Sequence, residues 1–442
     1  MNLDACDIRA DVARLARHDA SRILASLVRR LGPAYIQAAE DAVQHALLQA
    51  LRVWPRAGTP RDPAAWVFTV ARNHLRDHLR ASQRLVLFDA ALDMLPAPLP
   101  AGGEEAHFSR EFSDDELALL FVACHPALSL ESRITFALNC VCGLSARQIA
   151  AGLLTTEASV AKRITRAKKV LADLDIMIAP PSAEDLRERL EAVRTVIFLL
   201  FNEGYSSSGG EALCTPDLCR EAARLAVALA RHPVTASAES DALAALLLLT
   251  LARVPGRMGP DGAALLLEHQ DRSLWDSRLV AEGIRFLARS ARGTSVSIWH
   301  LRAEIAALHA MAPSAAATNW PALADAYERL CAVDPSPIAA LGRAVALGKA
   351  KGPREGLAAL RQPLRILPGN RYIQAAAGKF LLDLGKPRPA ALRFARAAGS
   401  ARNEAERRLM RRYLLEAETA LRTRPAPESI SQPIPVRSCP DS

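Results

Sequence analysis

The chain has 442 residues, half of them hydrophobic, with aromatics at only 5% and a formal net charge of +9. A chain of that length divides into about two to four domains and can bury a sizeable core. Ala and Leu dominate, and the strand-favouring residues never cluster in alternating runs, which excludes a sheet protein and points to an all-α fold.

The first nineteen residues, "MNLDACDIRADVARLARHD", place acids early and contain no apolar h-region, so no signal peptide is expected. A first helix is predicted from about Leu15 to Leu31, ending at Gly32-Pro33, and a second from about Ile36 to Trp54, ending at Pro55. Asp62 then reads as an N-cap with Pro63 in the first helical position, opening a third helix to about Gln83. These elements define a first small helical domain over residues 1–85. Residues 86–112 change character: Pro96, Pro98, Pro100, Gly102 and Gly103 forbid a continuous helix, and the stretch reads as a flexible linker.

Helical patterning returns over a second small domain, residues 113–178. Gly143 closes one helix, and Ser145 with Gln148 forms a capping box for the next, "SARQIAAG". Thr156 caps "TTEASVAKRITRAKKVL" (Thr155–Leu171), with Glu157 favourably placed in its first turn. A short helix, a tight turn and a longer helix are the order of a helix-turn-helix, whose second helix enters the major groove.

Pro180-Pro181 marks the next break, and Ala/Leu-rich helices follow. A helical extension domain is expected over 179–312; within it "LAALLLLTLA" (Leu243–Ala252) is far shorter than the ~20 residues of a membrane span and reads as a buried core helix. In residues 313–422 a shift of 34 positions aligns Leu347 with Leu381, Pro353 with Pro387 and Arg354 with Arg388, the period of tetratricopeptide-like helix pairs. Such pairs stack into a surface suited to a protein or peptide partner. "NEAERRLMRRYLLEAETAL" (Asn403–Leu421) reads as a closing helix, and the Pro- and Ser-rich tail over 423–442 as disordered. The eight cysteines are scattered. Cys124-His125 with Cys140 and Cys142 raises a metal site, but Cys140 and Cys142 are too close in sequence for the usual structural zinc pair; buried, reduced thiols are expected, with no metal and no cofactor.

Two helices carry basic stripes. On Thr155–Leu171, Val160, Ile164, Ala167 and Leu171 recur on one face, while Lys162, Arg163, Arg166 and Lys169 fall on the other. On "AAWVFTVARNHLRDHLRASQ" (Ala64–Gln83), Arg72, Arg76 and Arg80 share a face beside Asn73 and Asp77, while Val67, Val70 and Ala71 can pack inward with Trp66 at the edge. A single charged face is ordinarily a solvated one. Two of them on separate modules joined by a linker suit one long polyanion, with counterion release setting a steep salt dependence and Arg and Asn able to read base edges.

"AEDAVQHALLQAL" (Ala39–Leu51) followed by "PAAWVFTVARNHLRDHLR" (Pro63–Arg80) resembles region 2 of the extracytoplasmic-function sigma factors of the sigma-70 family. "GLSARQIAAGLLTTEASVAKRITRAKKVL" (Gly143–Leu171) resembles their region 4. "FLLFNEGYSSSGG" (Phe198–Gly210), "DLCREAARLA" (Asp217–Ala226), "LLEHQDRSLWD" (Leu266–Asp276), "AEIAALHA" (Ala303–Ala310) and "PSPIAALGRAVAL" (Pro335–Leu347) resemble a subgroup with a long C-terminal extension. The resemblance implies a cytoplasmic promoter-specificity subunit with no catalysis of its own. It implies that the helix holding Asp41 and Gln44 meets the clamp region of RNA polymerase core. Arg72, Asn73, Arg76, Asp77 and Arg80 would then meet the −10 element, and Ser159, Lys162, Arg163, Arg166 and Lys169 the −35 promoter DNA. It also implies that the extension regulates the sigma module. Asn139, where many relatives carry a basic residue, departs from the pattern, as do His269 and Trp299-His300.

Within the extension, Asn202, Glu203, Tyr205, Glu268 and Asp271 form a candidate polar network. A carboxylate pair can do acid–base chemistry where burial separates its pKa values, but no nucleophile elbow, HExxH or phosphate-loop pattern accompanies it. A buried hydrogen-bonded network that fixes helix packing is the expected role. The competing functional readings are an autonomous helix-turn-helix regulator with a repeat-type sensor domain and a helical enzyme with an incidental basic helix.

Overall fold

A computed structural model describes residues 3–31, 35–81, 117, 119–153, 155–173, 183–208 and 213–423. The expected linker over 86–112 lies outside the described residues, as does all but the first residue of the expected tail. The described chain is helical throughout, as expected, and separates into two compact units. The first comprises residues 1–258 and 265–318, and the second residues 259–264 and 319–442.

In the first unit, α1 (Leu3–His18) and α2 (Ala20–Leu31) stand where a single helix from Leu15 was expected. The chain turns at Asp19, whose short carboxylate competes with helical backbone bonding. Helix α3 (Ile36–Ala57) runs through Pro55 and ends at Gly58, which has φ +82°. Helix α4 (Pro63–Ala81) opens as expected, with the Asp62 carboxylate accepting from the Ala65 amide at 2.8 Å. It packs on α3 through Val67, Ala71, Leu75 and Leu79, one residue per turn, and Trp66 meets Trp54 edge-on. Val70, expected inside, is only half-buried.

Helices α5 (Leu130–Cys140), α6 (Ala146–Gly152) and α7 (Glu157–Asp173) form the helix-turn-helix and its support. Between α5 and α6, Gly143 adopts φ +66°, and the Asn139 side-chain amide donates to the Leu144 carbonyl at 2.9 Å. The departure at Asn139 is thus a helix-end tie. Cys124 and Cys140 are buried, and burial pushes the Cys124 thiol up to about 12.

The extension continues with α8 (Ala183–Tyr205), α9 (Pro216–Arg231), α10 (Ala238–Leu251), α11 (Ser277–Ser290) and α12 (Ile298–Met311). Helix α8 packs directly on α5 and α6. Helix α10 is apolar on nearly every side and buried from Leu243 to Leu249, the expected core helix. One apolar core runs from Ile8 through Phe136 and Ile197 to Ala307, so these segments are not separately packed beads. Gly204 ends α8 against the start of α9, where an added Cβ would lie 2.8 Å from Leu218 Cβ; only glycine fits that crossing.

The second unit contains α13 (Trp320–Val333), α14 (Pro337–Lys351), α15 (Pro353–Ala359), α16 (Arg361–Ile366), α17 (Arg371–Asp383), α18 (Pro387–Gly399) and α19 (Glu404–Arg422). Helix starts recur 34 residues apart, at Pro337 and Arg371 and again at Pro353 and Pro387. The Phe380 ring fills the space above Gly348 and Gly356, where a Cβ would collide with it. At its far end Arg371 and Glu406 form a buried ion pair of 2.6 Å.

Candidate nucleic-acid interface

The helix-turn-helix is assembled by local hydrogen bonds. Gln148 donates its amide to Ser145 Oγ and accepts from the Ser145 amide at 3.0 Å, the expected capping box. The Leu153 amide returns to the Ile149 carbonyl and the Thr155 amide to the Ala150 carbonyl, both at 2.9 Å, closing the turn. Thr156 Oγ1 then accepts from the Ser159 amide at 3.2 Å and starts α7. Val160, Ala167 and Leu171 are fully buried, which fixes the rotation of α7 about its axis.

That rotation exposes Lys162, Arg166 and Lys169, as expected. Ser159 sits at the same end, its hydroxyl 2.9 Å from that of Thr156. Arg163 is turned aside: its Nη2 lies 2.6 Å from Glu131 Oε2, with 27% of the arginine side chain and 72% of the glutamate exposed. Exposed pairs of this kind are worth about 0–1 kcal/mol, and a bidentate contact to a base about 1–3 kcal/mol. Lys168 was not singled out in the sequence, because it flanks the apolar stripe and breaks no local rule. It points to α3, donating to Gln37 Oε1 at 2.8 Å and Glu40 Oε2 at 2.5 Å.

On α4, Arg80 and Asp77 are exposed, while Arg72, Asn73 and Arg76 are half-buried; Arg76 lies 4.0 Å from Asp77. His74 stacks on His45 of α3 with ring centroids 3.9 Å apart. Burial, followed by the charges of His45 and His78, lowers the His74 pKa. Asp41 and Gln44 lie on the exposed side of α3, with the Gln37 amide donating to Asp41 at 3.1 Å. Leu48 and Leu51 continue that strip as exposed apolar residues.

Among the described residues, Glu203, Tyr205 and Asp271 of the extension each have local partners. Glu203 is buried, but its carboxylate accepts from Ser208 and, at 3.3 Å, from Gln148 Nε2 in the capping box of α6. Asp271 is exposed and accepts from the amide and hydroxyl of Ser273, whose hydrogen bonds lower its pKa. Each carboxylate is thus held by a serine of its own loop, Ser208 for Glu203 and Ser273, two residues on, for Asp271. Asn202 is exposed and Glu268 half-buried. Tyr205 lies under Arg257, whose guanidinium carbon is 3.5 Å from the ring centroid, and the Tyr205 carbonyl accepts from the same guanidinium. Among the described residues no group of His, Cys, Asp and Glu is placed to hold a metal, and no helix is long and apolar enough to cross a membrane.

Residues 16–85 match sigma-70 region 2, and residues 118–171 match sigma-70 region 4. Residues 189–291 match a family of unknown function, DUF6596. The chain is similar to an uncharacterised protein of Rhizobium meliloti (strain 1021), 40% identical over 389 residues that cover 86% of this chain and 91% of that one. No solved structure matches. The capped helix-turn-helix with its exposed cationic face coincides with region 4, and the α3–α4 pair with region 2; the chain carries the sigma-70 region 2 and region 4 domains, which support an RNA polymerase sigma factor.

Proposed function

We propose that the protein is an extracytoplasmic-function-type sigma factor, acting in the cytoplasm, whose two helical modules read the two promoter elements. Helix α7 enters the −35 major groove, with Lys162, Arg166 and Lys169 presented to the duplex, Arg163 recruited from Glu131, and Ser159 at the entering end. Helix α4 brings Arg72, Asn73, Arg76, Asp77 and Arg80 to the −10 element. Asp41 and Gln44 on α3 dock on the clamp region of polymerase core, flanked by Leu48 and Leu51. The observation that carries the reading is the α7 face: three exposed cations lie opposite a stripe in which Val160, Ala167 and Leu171 are fully buried and Ile164 half-buried, within a region 4 match. The exposed strip on α3 favours this over an autonomous regulator, which needs no polymerase contact.

The extension regulates the sigma module. The packing of α8 on α5 and α6 supports this, as do the ties Gln148–Glu203 and Arg133–Glu188. The recurrence of helix starts in the second unit supports a tetratricopeptide-like array presenting a surface to a protein or peptide partner. Co-elution of the full chain with purified core polymerase on a sizing column tests the assignment. Retention of the chain by core is the expected result, and separate elution at micromolar concentration contradicts it.

A further inference from the structure

The chain's positive charge is not spread evenly. Residues 319–422 hold nineteen Lys and Arg against nine Asp and Glu, so the second unit carries the whole of the net charge of +9. The imbalance is sharpest over residues 335–402, the span of α14 to α18, where thirteen Lys and Arg face two acids, Glu355 and Asp383. An ordinary solvated surface intersperses both signs, and a block of one sign weakens the compact state by self-repulsion. The basic helices α4 and α7 therefore do not account for the basic balance of the chain.

The fold gathers this charge on one edge. Helices α14, α15, α17 and α18 pack each on the next, so the chain runs up and down, and the α14–α15 and α17–α18 turns come to the same edge. Gly352, at φ +113°, makes the first turn and Gly385, at φ +67°, the second. Lys349 and Lys351 close α14, Arg354 lies in the first turn of α15, and Lys386 and Arg388 flank the start of α18. All five are exposed. Among the described residues Lys351, Arg354, Lys386 and Arg388 enter no ion pair, and the Asp383 carboxylate lies 3.6 Å from Lys379. Elsewhere in the unit the cations are engaged: Arg343 with Glu328, Arg371 with Glu406, and Arg393 with Gln374. Arg354 and Arg388 sit in first turns, where the helix dipole disfavours a cation, so they do not serve their own helices.

The edge suits the backbone of a duplex better than a protein or a single strand. Protein hot spots centre on aromatic and other large anchors in desolvated pockets, and single strands stack on exposed aromatics. Among the described residues every aromatic side chain of 319–422 is buried or half-buried. We propose that these two turns form a sequence-independent contact for the phosphates of duplex DNA, through Lys349, Lys351, Arg354, Lys386 and Arg388. The contact goes beyond the sigma-factor reading, since it needs neither promoter elements nor polymerase.

The test titrates full-length protein onto a duplex of random sequence, by fluorescence anisotropy, at salt concentrations between about 50 and 200 mM. Each phosphate neutralised adds about 0.9 to the slope of log affinity against log salt. Replacing Lys351, Arg354, Lys386 and Arg388 together by Gln should flatten that slope by about 3–4. The pair Arg354→Gln with Arg388→Gln relieves the helix dipoles, so it should keep the melting temperature and flatten the slope by about 2. The charge-conserving pair Lys351→Arg with Lys386→Arg should keep the wild-type slope. A slope unchanged in the arginine pair overturns the proposal. So does a wild-type chain retained by immobilised polyglutamate but not by duplex, which would assign the edge to an acidic protein. No promoter or polymerase is present, so failure of the sigma-factor reading leaves this result standing, and failure here leaves that reading standing.

Discussion

Glu131→Gln should strengthen promoter binding by releasing Arg163. In the free protein the Glu131 carboxylate sits 2.6 Å from the Arg163 guanidinium, on the N-terminal turn of the helix beside α7. Most of the glutamate is in water, so the pair is worth at most about 1 kcal/mol. Binding DNA through Arg163 must first break it, and removing the charge removes that cost. At about 1.4 kcal/mol per factor of ten, the gain is up to about fivefold in affinity. The assay is fluorescence anisotropy of holoenzyme on a duplex carrying the −35 element, with a scrambled duplex as control. Arg163→Ala alone should lose about 1–3 kcal/mol if the side chain reads a base. The decisive comparison is the double variant, because with Arg163 gone Glu131→Gln should gain nothing. A gain of equal size in the Arg163→Ala background refutes local competition and leaves only a bulk charge effect.

Asp41→Lys should weaken binding to core by at least several-fold with an unchanged melting temperature, since Asp41 is exposed and, among the described residues, tied to Gln37 on the same helix; a fall in melting temperature instead would mark it as structural. Leu171→Ala, in the fully buried stripe of α7, should cost about 2–5 kcal/mol in urea unfolding. Arg371→Ala removes the cation beside Glu406, itself almost wholly buried and left with hydrogen bonds from Tyr372 and Arg402, and should cost up to about 3–5 kcal/mol in the stability of the second unit. His309 is half-buried, and desolvation first, then the charges of Arg253 and Arg272, push its pKa down to about 3 from 6.5. Below about pH 6.5 the unfolded chain takes up this proton and the native chain does not, so stability falls with acidification by up to about 1.4 kcal/mol per pH unit. His309→Gln should flatten that slope between about pH 6.5 and 5, and an unchanged slope would rule out this histidine as its source.

Features encoded by short spacing were legible before the structure. Asp62 with Pro63, Ser145 with Gln148, and Thr156 before an apolar stripe each specify a helix start through atoms three residues apart, and all three stand as expected. The buried and cationic faces of α7 follow from helical periodicity alone. What stayed hidden depends on contacts between distant segments. Gln148 looks complete within its capping box, yet its amide reaches Glu203, 55 residues away. Lys168 resembles its neighbours, and only the approach of α3 singles it out. Glu203 and Asp271 enter one candidate network by residue type alone; in the fold each accepts from a serine of its own loop. The break at Asp19 was missed because apolar residues continue at helical spacing on both sides.

Run-off transcription with purified core polymerase and the full chain, on a library of templates varied at two blocks separated by a spacer, tests the central claim most directly. The account predicts transcripts that depend on the added chain, arise only from templates carrying both blocks at a fixed separation, and diminish when Arg166 is replaced by Ala. Absence of chain-dependent initiation from every template, with core shown active by an established initiation factor, contradicts it.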